Sequence, residues 1–230
     1  MKSKTGFILI NKPSGITSHD VVDYLRKITG IKKIGHSGTL DPLATGLLIL
    51  GIGRGATKLL YKFLNEKKEY IAKIRLGAIS TTYDREGEIV FKENVKIPTA
   101  EEVKKILKKF CGKIEQIPPS FSAKKIKGKK MYELARKGKE AELKPIRVEI
   151  HKISFLKYKW PFLEIKVNCS SGTYIRSLAN DIGKELDCGG YIEELTRIRI
   201  GKFCLDEAVG LYELNSQNWE KFLIDISKIL

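Results

Sequence analysis

The chain has 230 residues, 42% of them hydrophobic, and 43 lysines and arginines stand against 27 acidic residues for a formal charge of +16. That length gives one large domain or two small ones with enough apolar mass for a sizeable core, and the charge exceeds what solubility needs, so a polyanion, nucleic acid first, is the expected partner. A basic membrane-surface protein is the competing reading; no apolar run of about 18 residues, signal-peptide arrangement or basic amphipathic terminal helix supports it, and the expected compartment is the cytoplasm.

"FILI" at 7–10 predicts a short buried strand and "NKPSG" a turn, because Pro13 fixes its own φ and Gly15 permits a positive one. A helix follows. Thr17 and Asp20 have capping-box spacing, Val21, Val22, Leu25 and Ile28 form its apolar stripe, and Gly30 is its stop. The glycine-rich "GHSGTLDPLATG" at 35–46 then leads into a strand at 47–51. In "YIAKIRLG", Tyr70, Ala72, Ile74 and Leu76 fall on one face and Lys73 and Arg75 on the other, so Tyr70 opens an inward-facing row.

Thr99 and Glu102 cap a second helix whose buried stripe is Val103, Ile106, Leu107 and Phe110. From Pro118 to Pro145 the chain turns lysine-rich and poor in core residues, with a short potential helix at "MYELARKG"; this predicts a projecting insertion that makes electrostatic contacts. Strands are predicted from 146 and from 162, a helix from 174, a strand at "LTRIRIGKF" and a closing helix at "NWEKFLIDISKIL". Without regular βαβ alternation, the pattern favours an α+β fold around a largely antiparallel sheet.

Several chemistries lose ground. "GIGRGATK" at 51–58 has neither dinucleotide nor P-loop spacing, so tight strand-to-helix packing explains its glycines better. The cysteines at 111, 169, 188 and 204 form no C-x-x-C or Cys/His cluster, which argues against structural zinc and for reduced, buried thiols. Neither H-E-x-x-H nor G-x-S-x-G is present. On physics alone Asp41, before Pro42 in a glycine-rich loop, reads as a turn or capping residue, and His36 as a hydrogen-bonded loop residue.

Taken together and in order, "NKPSGITSHDVV", "GHSGTLDPLATGLL", "KEYIAKIRLG", "SSGTYIRSLANDIG" and "LTRIRIG" resemble the TruB family, the bacterial tRNA pseudouridine-55 synthases. The segment "PPSFSAKKIKGKKMYELARKGKE" is similar to the family's bacterial branch, whose insertion packs on the tRNA T-arm, and distinguishes it from guide-dependent relatives that work with partner proteins. The resemblance spans about residues 5 to 213. It implies the pseudouridine synthase fold over 1–230 with a thumb-like insertion at 118–145, and a chain that stops before the family's usual C-terminal PUA domain.

The resemblance implies that Asp41 is the catalytic carboxylate, acting as nucleophile or as base and electrostatic partner for the detached sugar. Arg176 is its expected cationic partner. Tyr70 is expected to stack on the target base and to assist loss of its C5 proton, Tyr174 and Leu195 to line the uracil pocket, and His36 to fill the space of the flipped base. Lys12, Lys124, Lys125 and Arg197 are candidate phosphate contacts. No cofactor or metal is implied, and the expected state is a monomer acting on tRNA without a protein partner. A non-catalytic RNA-binding or tRNA-folding protein on the same scaffold is the alternative.

Overall fold

The computed structural model describes residues 4–119, 125, 126, 129, 130 and 144–228. Lys124 and the helix expected at "MYELARKG" lie outside them. The strands are β1 (Gly6–Lys12), β2 (Ile34–His36), β3 (Thr45–Ile52), β4 (Lys68–Leu76), β5 (Ala78–Ser80), β6 (Ile89–Phe91), β7 (Gly112–Gln116), β8 (Lys125–Ile126), β9 (Lys129–Lys130), β10 (Ile146–Lys159), β11 (Phe162–Cys169), β12 (Gly190–Ile200), β13 (Phe203–Cys204) and β14 (Val209–Gly210). The helices are α1 (Ser18–Thr29), α2 (Gly53–Leu59), α3 (Tyr61–Leu64), α4 (Ala100–Lys109) and α5 (Ile175–Glu185). This is the expected α+β class with a largely antiparallel sheet; β1 with β14 and β3 with β12 are parallel pairs.

Two compact units divide the chain, residues 1–70 with 196–230, and residues 71–195. In the first unit the strands run β14-β1-β3-β12, with β2 on β3 and β13 on β12. β1 and β3 pair in register from Gly6 opposite Ile52 to Lys12 opposite Gly46. Their apolar runs do not alternate with polar residues because both faces are covered. Ile8, Ile10, Leu48 and Leu50 pack under α1 with Val21, Val22 and Leu25. Phe7, Leu9, Leu47 and Ile49 pack with Phe63 and Phe203, the three phenylalanines meeting edge to face at 5.1 and 5.7 Å. Each such side chain contributes about 1.5–3 kcal/mol by burial.

α1 begins and ends as its sequence predicts. Thr17 and Asp20 form a reciprocal capping box, and Gly30 closes the helix at φ 71°. The closing helix does not form. Residues 219–222 and 226–228 make separate 3-10 turns, and between them Ile224 exchanges both backbone hydrogen bonds with Phe7, at 2.9 and 2.8 Å. Pairing with the flank of β1 satisfies peptide groups that an isolated short helix would have to satisfy alone.

In the second unit the order is β12-β4-β11-β10-β7, with β5 and β6 as a separate hairpin. β4 alternates as predicted, Tyr70, Ala72, Ile74 and Leu76 all being buried. α4 carries the predicted Thr99–Glu102 capping box, which holds the Glu102 carboxyl down at about 2 through hydrogen bonds from Thr99 and Lys96. Gly183 of α5 lies against Gly189 and Gly190; a Cβ there would fall 2.2 Å from backbone atoms, so only glycine lets the helix sit so close. The expectation of four buried thiols holds for Cys169 and Cys188, whereas Cys111 is exposed and Cys204 half-buried.

Candidate active-site loop and its supports

Asp41 stands between β2 and β3, in a loop whose carbonyls at 38 and 40–43 all accept hydrogen bonds. Its carbonyl accepts from Ala44 N at 3.1 Å, closing a turn with Pro42 at the second position, where proline's fixed φ favours it. The Leu40 backbone meets one hydroxyl twice: Leu40 N donates to Ser18 Oγ at 2.9 Å, and Ser18 Oγ donates to Leu40 O at 3.2 Å. Gly15 N donates to Pro42 O at 2.9 Å and Ser14 Oγ to Leu43 O at 3.0 Å. The turn at 12–18 is thus the bed on which the Asp41 turn lies. Leu40, Leu43 and Ala44 are buried while Asp41 itself is half-buried. The backbone that carries the Asp41 carboxylate is therefore held from both sides of the turn.

Lys12 and Arg197, expected on the RNA-facing surface, are instead buried, at 0% and 1% exposure. The Lys12 ammonium donates to the carbonyls of Pro13, Ile16 and Pro42 at 2.8, 2.7 and 3.3 Å. Arg197 donates from Nε to Leu47 O at 2.8 Å and from Nη2 to Gly38 O at 3.2 Å. Neither cation can reach a phosphate from there. They work as internal clamps, Lys12 on turn carbonyls and Arg197 between a loop carbonyl and one in β3, since buried carbonyls need donors.

His36 ends β2, opposite Leu50. Its Nδ1 is buried, and the Gly38 backbone lies against the ring. Burial first, then the Arg197 charge, pushes its pKa below the ordinary 6.5, so the ring is neutral at pH 7. Tyr70 is buried in β4, at the position expected from the alternation.

The second unit holds Arg176, Tyr174 and Leu195. Arg176, in the first turn of α5, is 4% exposed; its Nη1 lies 3.3 Å from Asp84 Oδ2 and donates to Thr82 O at 2.9 Å. Asp84 is 3% exposed, and its other oxygen accepts from Thr82 Oγ1 and from Glu86 N. The "TTYDREG" loop is therefore built around a buried carboxylate that grips an α5 arginine. The sequence reading missed Asp84; the cluster of hydroxyls before an aspartate and a glycine is the Asx-turn signal that could have marked it. Tyr174 is half-buried and precedes α5, and Leu195 is buried in β12. Lys125 pairs with Lys130 in the β8–β9 ladder. Among the described residues no cluster of His, Cys, Asp or Glu could hold a metal ion, and no helix is long and apolar enough to cross a membrane.

Comparison with known proteins covers both units. The family model described as "TruB family pseudouridylate synthase (N terminal domain)" matches residues 26–175, and that described as "tRNA pseudouridylate synthase B C-terminal domain" matches residues 176–226. The tRNA pseudouridine synthase B of Protochlamydia amoebophila is 49% identical over 95% of this chain and 83% of its own length. That of Clostridium tetani is 47% identical over 98% of this chain and 78% of its own. Among solved structures, a chain of a Cbf5-Nop10-Gar1 complex is similar over 92% of this chain at 29% identity and a TM-score of 0.73. A chain of an H/ACA RNP bound to a substrate RNA containing 2'-deoxyuridine is similar over 97% at 26% identity and a TM-score of 0.71. This chain spans 54% and 57% of those two.

Proposed function

The chain belongs to the TruB family of pseudouridylate synthases, and from that membership we propose that it converts uridine 55 in the tRNA T-loop to pseudouridine. What carries the reading is the 49% identity, over 95% of the chain, to a protein named tRNA pseudouridine synthase B. The reaction breaks the C1′–N1 bond, turns the base and joins C1′ to C5; in net, C5 loses a proton and N1 gains one. It balances without oxidant, metal or cofactor.

In this reading Asp41 supplies the carboxylate, as nucleophile toward the ribose or as base and electrostatic partner of the detached sugar. The hydrogen-bonded bed beneath it supports the role, since the group needs no reorganisation at the moment of reaction. Flipping the uridine out costs a few kcal/mol of stacking and pairing, and His36 fills the gap it leaves. A neutral imidazole enters a base stack at less desolvation cost than an imidazolium would. Tyr70 stacks on the flipped base and assists loss of the C5 proton, and Tyr174, Leu195 and Arg176 hold the uridine. Tyr174 and Leu195 offer an aromatic and an apolar surface to a flat uncharged ring. The +16 charge supports sequence-independent contact with the RNA backbone. The protein acts on tRNA as a monomer; its identity to relatives named tRNA pseudouridine synthase B exceeds that to chains solved in ribonucleoprotein assemblies.

The test is tritium release from C5-labelled uridine in a T-arm transcript, for the parent and for Asp41→Asn. The parent releases tritium and Asp41→Asn does not. Binding without release by the parent would favour the non-catalytic RNA-folding alternative, and release unaffected by the substitution would remove Asp41 from the chemistry.

A further inference from the structure

Gln116 is the last residue of β7 and is 1% exposed. Its side-chain amide meets both polar backbone groups of one residue: Nε2 donates to Tyr174 O at 3.2 Å, and Tyr174 N donates to Oε1 at 3.0 Å. The N–H and C=O of a single residue point the same way only when that residue is extended, and Tyr174 has φ −94° and ψ 106°. In a helix the two groups diverge, so the paired contact selects the extended state at Tyr174 alone.

α5 therefore begins at Ile175, although its start has no side-chain cap. The Tyr174 carbonyl also takes the first helical bond, from Leu178 N at 3.1 Å. One residue beyond Gln116, the Ile117 carbonyl accepts from Ser177 Oγ at 2.7 Å. The last residue of β7 and the one after it thus hold the chain at Tyr174 and Ser177, on either side of Arg176.

We propose that Gln116 is a positioning residue for the target uridine, acting through the backbone of Tyr174 and setting where the Tyr174 ring and the start of α5 stand. The proposal rests on the reading that Tyr174 and Arg176 hold the uridine. Glutamine suits the task because its amide offers one donor and one acceptor with the spacing of a peptide group; leucine would leave two buried backbone groups without partners. Glutamate keeps the acceptor, but donates only when protonated, and its carboxylate repels the Tyr174 carbonyl.

That difference supplies a test separating positioning from mere structural support. Single-turnover tritium release is measured at saturating T-arm RNA, per folded molecule, from pH 8 to pH 5.5, for the parent, Gln116→Glu, Gln116→Asn and Gln116→Leu. At pH 8 the three variants react about ten- to a hundredfold more slowly than the parent. The Gln116→Glu deficit shrinks as the pH falls, because protonation restores the donor, while the deficits of Gln116→Leu and Gln116→Asn stay constant. RNA dissociation constants are unchanged, since phosphate contacts dominate affinity. Variant rates equal to the parent's, or a Gln116→Glu profile parallel to that of Gln116→Leu, would overturn the inference while leaving the function standing. A parent that releases no tritium overturns the function and the inference with it. Gln116→Asn keeps both polar groups on a shorter arm and serves where the other two fail to fold.

Discussion

Arg197 holds Gly38: its Nη2 donates to the Gly38 carbonyl across 3.2 Å while its Nε holds Leu47 O at 2.8 Å. One guanidinium therefore fastens the chain on both sides of Asp41, at points nine residues apart. It is also parallel-paired, through the β12 backbone, to Gly46 of β3. Replacing Arg197 with Met leaves both carbonyls without their donor in a site that is 1% exposed. The expected loss is about 3 kcal/mol of stability, read from urea denaturation. The salt dependence of RNA binding does not change, whereas losing a phosphate contact would lower its slope by about one.

Gly46 sits at φ 100°, where a Cβ would lie 2.3 Å from the Arg197 carbonyl oxygen. Gly46→Ala must move backbone against backbone, and the expected cost is about 3 kcal/mol or more. Gly15 has a similar φ of 88° but open space around it, so Gly15→Ala carries only the cost of the backbone conformation, about 1–2 kcal/mol. Thermal unfolding of the two variants orders them; equal shifts would mean that β3 and β12 can separate at Gly46 without penalty.

Asp84→Asn removes the charge that faces Arg176 and keeps the shape. Thr82 Oγ1 and Glu86 N retain an acceptor, so the loop stays folded. The guanidinium is held less firmly, and the expected result is a single-turnover rate about tenfold lower with RNA affinity unaltered. A weakened affinity with an unaltered rate would place Asp84 in the RNA interface instead.

The pKa of His36 lies below its ordinary 6.5, through burial and the Arg197 charge. The unfolded chain takes up that proton first as the pH falls. The stability contributed by the neutral ring is complete above about pH 6.5 and is lost as the pH drops toward and through the folded value. Urea midpoints measured from pH 7.5 down to 5 should decline, and His36→Phe should flatten part of that decline. An identical slope in the variant would show that other groups carry it.

Most of this architecture was legible from periodicity and capping. Thr17 with Asp20 and Thr99 with Glu102 announced their helices, and the alternation from Tyr70 to Leu76 announced β4, because these signals depend on neighbours in sequence. The role proposed for Asp41 rests on a family motif alone; its local chemistry is that of a turn residue, and the structure gives it a turn. The burial of Lys12 and Arg197 was not legible, since their partners are backbone carbonyls, which carry no sequence mark. The spacing of Trp219, Phe222, Leu223 and Ile226 suits a helix face, but what decides that segment is Ile224 bonding to Phe7, more than two hundred residues away. Gln116 and Asp84 fall in the same class, since each is defined by a backbone or guanidinium group brought in by the fold.

The bond between Phe7 and Ile224 also bears on how the molecule is made. The unit that contains Asp41 needs residues 196–228 to complete its sheet, while the unit of residues 71–195 is a continuous stretch. During synthesis the continuous stretch emerges whole and can fold as a unit before the other has its last strands. The Asp41 loop therefore acquires its Arg197 fastening late, and a chain halted near residue 195 carries Asp41 on a half-built support. Such a chain is the expected client of chaperones and proteases, and the support of the Asp41 loop is complete only once residues 196–228 have joined it.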